Sequence, residues 1–337
     1  MKQNMSPSNM DPIPDISSTL DPTSSSAPFD GGADFEWHKY LAHRPTYSPA
    51  FYDIIWEYHR KHSSHWRLAH DVGTGPGNVA EVLAGRFDHV IASDANADNV
   101  SLARKRLSHS HISFQHCRAE DLSTVGGPDS EGRADLVTLA ECVPLLDVQK
   151  AFGGFARMMR SGGTLAVWFY GKPIFDGPGQ EKSQAIFDKI TAKAFERIRP
   201  FKGTPMEPAF ATLAPWLDDI AFPASEWSDV KRIKWNNDKQ LTFLDKEHFD
   251  FDYEYKSAIG RHEESVEKLD RTFWAKEECG IEWAKEFNDA QFPWKTETDD
   301  IDTQLVTMFE DLEAAMGGKG SKVSIAWPVV LLLATRR

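Results

Sequence analysis

A chain of 337 residues with 41% hydrophobic content is long enough for one large domain with insertions or for two domains. Its formal net charge of −13, with no compensating basic stripe, works against nucleic-acid partners, which need clustered Lys and Arg to displace counterions. Three widely spaced cysteines, Cys117, Cys142 and Cys279, lack CxxC spacing and cannot all pair, so free thiols in a reducing, cytoplasmic setting are expected.

In chain order, residues 1–34 are rich in Ser, Pro, Thr and Asp and are expected to be disordered, with the fold starting near Phe35. The apolar run Val329 to Ala334 is far below the roughly 20 residues that span a bilayer, so no membrane partner is expected. From Trp66 onward, short apolar runs alternate with amphipathic stretches. Strands are predicted at 66–72, 89–94, 112–117, 134–140 and 164–170, the last after the turn "RSGG". Helices are predicted from Val79 and over 96–107, where Val100, Ala103 and Leu107 share a face. This is the pattern of an α/β, doubly wound parallel sheet.

From about 171 to 320 the alternation is lost and tryptophans accumulate: Trp216, Trp227, Trp235, Trp274, Trp283 and Trp294. Within it, 229–235 reads as a strand, and 246–260 and 263–290 as helices. The closing stretch 323–336 returns to strand character, with Pro328 marking an edge or a bulge. Residues 35–337 are therefore read as one domain carrying a helical, Trp-rich substrate cap at about 171–320.

The chemistry concentrates in "HDVGTGPGN", His70 to Asn78, at a strand-to-helix junction. Gly73, Gly75 and Gly77 let a ligand touch the main chain, and helix amides face it. The dinucleotide fingerprint GxGxxG wants a small residue where Asn78 stands, and Pro76 removes one amide, so a pyrophosphate is disfavoured. A ribose would still want an acid at the end of the second strand, where Asp94 stands. Asp71 suits an ammonium group or a water over the turn. An amino acid joined to a nucleoside satisfies both. His59, His62 and His65 carry no nearby acid or Cys to complete a ligand set, so no metal is expected.

These residues resemble a family, the class I S-adenosylmethionine-dependent methyltransferases, whose first motif D/E-x-G-x-G-x-G is matched by Asp71, Gly73, Gly75 and Gly77. The resemblance continues at Asp94 and at "AEDL", Ala119 to Leu122, which flanks the adenine in such enzymes. It extends to the fungal small-molecule group that includes the trans-aconitate and cantharidin methyltransferases, through the Y-x-x-x-R-P-x-Y opening of Tyr40, Arg44, Pro45 and Tyr47 and the closing "WPVVLLLATRR". S-adenosyl-L-methionine is the implied cofactor, bound by Asp71, Gly73, Gly75, Gly77, Asp94, Ala119 and Glu120. The opening segment with Tyr40 is expected to fold over it, and Arg44 to approach its carboxylate.

The chain departs from that group in two places. Pro144 and Leu145 stand where a His-Trp pair is common, and Arg118 precedes Ala119. A carboxylate acceptor is ionised at neutral pH and needs no base, whereas a phenol would want one. The lost histidine is thus harmless for carboxylate methylation, and for a hydroxyl acceptor Glu141, His43 or His38 would have to replace it. A small acid or acidic secondary metabolite is the expected acceptor, in a pocket lined by Pro144, Leu145, Trp168 and Tyr170, with Glu141 and His43 as the candidate catalytic groups. An NAD-dependent oxidoreductase and a non-methylating S-adenosylmethionine-binding protein are the alternatives; the oligomeric state is left open.

Overall fold

The computed structural model describes residues 42–125, 132–197, 212–243, 256–291 and 300–337. The expected disordered tail 1–34, Tyr40, Trp294 and most of the predicted helix 246–260 lie outside the described residues. No described helix is long and apolar enough to cross a membrane.

Helix α1 (Pro49–His62) is the first element that lies wholly within the described residues. Ser48 caps it by accepting from the Phe51 amide, Pro49 occupies the first turn, and His59, Arg60, Lys61 and His62 crowd the negative end of its dipole. Then come β1 (Leu68–Val72), α2 (Asn78–Ala84), β2 (His89–Asp94), α3 (Ala97–Arg106), β3 (Ile112–His116), the short α4 (Leu122–Val125), β4 (Ala134–Ala140), α5 (Val148–Met158) and β5 (Met159–Tyr170). The remaining elements are β6 (Ile174–Asp176), α6 (Glu181–Phe195), β7 (Trp227–Trp235), β8 (Glu264–Lys268), β9 (Ala275–Cys279), α7 (Ile281–Gln291), α8 (Ile301–Ala315), β10 (Val323–Ala326) and β11 (Val329–Arg336).

The main sheet has eight strands in the order β3-β2-β1-β4-β5-β11-β7-β8. Strands β1 to β5 run parallel, while β11 lies antiparallel between β5 and β7. Residues Val329 to Ala334 of β11 are fully buried, as expected of a strand covered on both faces. A second, three-stranded antiparallel sheet has the order β6-β10-β9.

Four local expectations change. The stretch "RSGG" is part of β5, which begins at Met159, with a register shift against β4. Glycine is required there, because a Cβ on Gly162 would stand 2.8 Å from the His62 carbonyl oxygen. Pro328 sits at no sheet edge; it separates β10 from β11, where the chain passes from the small sheet to the large one. The predicted helix 263–290 is instead β8, β9 and, at its end, α7. The Glu- and Lys-rich β8 has a helix-like composition, but the free edge of β7 offers it a full ladder of parallel partners, and tertiary pairing overrides propensity. Finally, β7 lies inside the expected cap, yet it is a strand of the main sheet. Its terminal Trp227 and Trp235 are fully buried core residues.

Candidate active site

The turn leaving β1 holds Gly73, Gly75 and Gly77 at φ of 68°, 52° and 88°, the left-handed region. Space is short as well: a Cβ on Gly73 would come within 2.7 Å of the Cys142 sulfur, and one on Gly77 within 2.6 Å of Leu107. Arg106 grips the turn from outside, donating to the Pro76 carbonyl at 2.6 Å and to the Asn78 side chain. Asn78, anomalous for a dinucleotide fingerprint, is thus the first residue of α2 and an anchor for that arginine.

Asp71 is buried, and the expected ammonium or water role is not where its bonds go. Oδ2 accepts from Thr74 Oγ1 at 2.7 Å and the Ala80 amide at 3.1 Å, and Oδ1 from Thr138 Oγ1 at 2.9 Å. It braces strand, turn and helix from within, and burial pushes its carboxyl up to about 6. Asp94, at the end of β2, accepts from the Gly75 amide at 2.9 Å and the Asn96 amide at 2.8 Å. Each of its oxygens has two lone pairs, so capacity for ribose hydroxyls is retained. Ala119 and Glu120 are buried at the start of a short turn after β3. The Glu120 carboxylate accepts from the Asp147 amide at 2.9 Å and faces Arg118 at 3.5 Å.

At the neighbouring carboxyl ends, Glu141 follows β4 with φ of 64°, a strained conformation for a non-glycine residue. Its amide donates to the Trp168 carbonyl at 3.0 Å, and its Oε1 accepts from the Tyr170 amide at 2.9 Å. Burial raises its carboxyl well above the usual range, with the Tyr170 amide and the Arg44 charge pulling the other way. Arg44 donates to Tyr170 Oη and to the Ala290 carbonyl, both at 3.1 Å. These contacts join the opening segment to β5 and α7.

Trp168 and Tyr170 are both buried, on the face of β5 that packs against α1. Trp168 lies edge-on to Tyr47 and Phe51, with centroids 5.5 and 5.4 Å away. As pocket walls Trp168 and Tyr170 are therefore both corrected to core: strand alternation turns them to the same face, under the aromatic cluster. Pro144 lies in the short turn Val143–Leu145, and Leu145 is 40% exposed there. His43 is half-buried in the opening segment. His59, considered above for a metal, is a core residue bonded to Thr164 Oγ1 and the His65 carbonyl, both at 2.9 Å.

Residues 69–163 match the family described as Methyltransferase domain. Over 306 residues the chain is 43% identical to Methyltransferase cfoB of Aspergillus candidus, covering 89% of this chain and 94% of that protein. The chain belongs to the class I S-adenosylmethionine-dependent methyltransferases. Methyltransferase ptaI of Pestalotiopsis fici is 39% identical over 97% of this chain and its own full length. A solved structure from Anaeromyxobacter dehalogenans, described as a type II methyltransferase, shares the fold with a TM-score of 0.53 at 16% identity, covering 87% of this chain and 97% of that one.

In this methyltransferase the residues that motif reading passed over are Thr74, Thr138, Arg106 and Cys142, which hold the glycine turn. Thr74 lies inside the motif, so its pairing with Asp71 is local. Thr138, Arg106 and Cys142 reach the turn from other elements, and no spacing rule connects them to it.

Proposed function

We propose that this enzyme methylates a small acidic metabolite on a carboxylate oxygen, in the cytoplasm, with S-adenosyl-L-methionine held over the Gly73–Gly77 turn. The three glycines at left-handed φ keep their positions in this turn bare of side chains, which supports close approach of a ligand to its backbone. Asp94 would take the ribose hydroxyls, and the backbone at Ala119 would border the adenine, because the Glu120 carboxylate is engaged with Asp147. Bound there, the cofactor supplies an electrophilic methyl group on a positive sulfur.

The protein's task is then to hold the acceptor in line and exclude water, and positioning alone can contribute about 7–11 kcal/mol. Leu145 and Pro144 give the acceptor side an apolar wall, and a dry pocket favours a reaction in which a cation and an anion neutralise each other. The observation that carries the carboxylate reading is the state of Glu141. One oxygen is committed to the Tyr170 amide, and the strained residue spans the ends of β4 and β5, which makes it a structural brace and not a free base. An acceptor already ionised needs none.

Incubation with labelled cofactor and a fungal small-metabolite extract, followed by mass spectrometry, should show a +CH₂ product bearing a carboxylic ester. With that substrate, kcat/KM should stay flat from about pH 6 to 9, since a carboxyl group titrates near 4. A steep rise through about pH 7 that vanishes in Glu141→Gln or His43→Gln would move the assignment to a hydroxyl or amine acceptor.

A further inference from the structure

We propose that Arg44 is a positioning residue for the methyl acceptor: it ties the opening segment to the end of β5 and to the last turn of α7, and so fixes the carboxyl ends of β4 and β5 beside which the acceptor lies. The inference rests on the reading above that the acceptor binds at the carboxyl ends of β4 and β5.

The placement comes first from the strand order. The glycine turn belongs to β1, Glu141 to the adjacent β4 and Tyr170 to β5, one strand farther. Two strand spacings, about 10 Å, separate the axes of β1 and β5. Arg44 is bonded on the β5 side, to Tyr170 Oη at 3.1 Å.

The second observation is what Arg44 joins. Its Nη2 donates to the Ala290 carbonyl, 246 residues away, in the last turn of α7. That carbonyl has no partner within an ideal helix, and a cation there also meets the negative end of the helix dipole. The guanidinium lies 5.9 Å from the Tyr170 ring centroid and 5.5 Å from that of Phe287, which is on α7. One planar group therefore holds three elements that are far apart in sequence: the segment before α1, β5 and α7.

The third is the link onward to the reacting edge. The amide of Tyr170 donates to Glu141 Oε1, so the bonds run Ala290, Arg44, Tyr170, Glu141. Arg44 also acts on the Glu141 carboxylate directly through its charge, so a shift of Arg44 is felt both at the Tyr170 ring and at the tip of β4. Lysine cannot supply two divergent donors and a stacking plane together, so Arg44→Lys is not conservative here.

The test compares Arg44→Met, Arg44→Lys and Tyr170→Phe with the wild type in three measurements. Calorimetry with S-adenosylhomocysteine should give dissociation constants within about twofold of wild type. Initial rates of labelled methyl transfer into a dilution series of one fungal metabolite extract should show half-saturation shifted by about tenfold or more in Arg44→Met, with a smaller fall in the plateau rate. Arg44→Lys should recover only part of the shift. Amide hydrogen exchange should rise across Ile281–Gln291 and at the end of β5. A tenfold loss of S-adenosylhomocysteine affinity with an unchanged extract dependence would make Arg44 a cofactor ligand and overturn the proposal. So would unchanged exchange in Arg44→Met, which is read without any acceptor. Wild-type protein that binds S-adenosylhomocysteine yet labels nothing in the extract would count against the proposed function, while the exchange arm still decides the role of Arg44.

Discussion

The two flanks of β4 stabilise their buried polar groups by different routes. On the β1–β2 side, Asp71 is satisfied mainly by Thr74 and Ala80, and Asp94 by Gly75 and Asn96, partners at most nineteen residues away. On the β5–β11–β7 side the bonds are long-range. Arg44 reaches Ala290, Tyr58 Oη meets Thr335 at 2.9 Å, and Asn236 donates to the Trp327 carbonyl at 2.8 Å. Arg232, fully buried in β7, donates to Glu263, 31 residues along the chain, at 2.6 Å. The glycine turn is thus shaped largely by its own short stretch of chain, with Thr138, Arg106 and Cys142 as supports from other elements, while the far flank exists only once distant segments have met. Damage to the first should be read in ligand affinity, and damage to the second in global stability.

The largest expected effect breaks the far flank. Arg232→Met leaves the Glu263 carboxylate buried without its cation and should cost about 3–5 kcal/mol in denaturant unfolding, with S-adenosylhomocysteine affinity intact in the folded fraction. Arg232→Met combined with Glu263→Leu should cost less than the single change, because no lone charge remains. A loss below about 1 kcal/mol in the single variant would show that this pair does not hold the flank.

Next, Gly73→Ala combines a left-handed φ with a Cβ 2.7 Å from Cys142, and about 2–4 kcal/mol of destabilisation is expected, with cofactor binding lost in parallel. Adding Cys142→Ala removes the collision and leaves the φ strain, so partial recovery is the outcome to look for in thermal unfolding.

Two neighbours on β1 sharpen the comparison through pH. Burial pushes His70 down to about 4, so its contribution is present above the unfolded value of 6.5 and is lost as pH falls through 4. Between pH 6.5 and 4.5 this amounts to about 2–3 kcal/mol, and His70→Gln should remove that part of the acid sensitivity. Asp71, raised to about 6, has the opposite sign: its contribution is full below its unfolded value of 3.8 and is lost as pH rises through 6. Asp71→Asn should therefore be more acid-sensitive than wild type, by about 2 kcal/mol at pH 4.5 relative to pH 7. Urea midpoints at the two pH values check both signs.

The smallest effect in free energy is the most specific. Asp94→Ala should weaken S-adenosylhomocysteine about 10- to 150-fold, the equivalent of roughly 1.5–3 kcal/mol, through the lost ribose contact and a loosened Gly75. Unchanged affinity by calorimetry would remove Asp94 from the cofactor site.

The sequence by itself determined the flank that carries the glycine turn. Glycines at positive φ, an acid before them and an acid ending the next strand are local requirements, and local requirements leave a spacing that can be read. Strand β4 was legible for a related reason, since burial on both faces demands a continuous apolar run. Tertiary structure alone decided the rest. Whether Glu264 to Lys268 becomes helix or strand depended on an open edge of β7, and whether Trp168 lines a pocket or fills the core depended on which face of β5 meets α1. The partner of Arg44 lies 246 residues along the chain, and that choice is made by the packing of α7 against the opening segment, a contact no local pattern encodes.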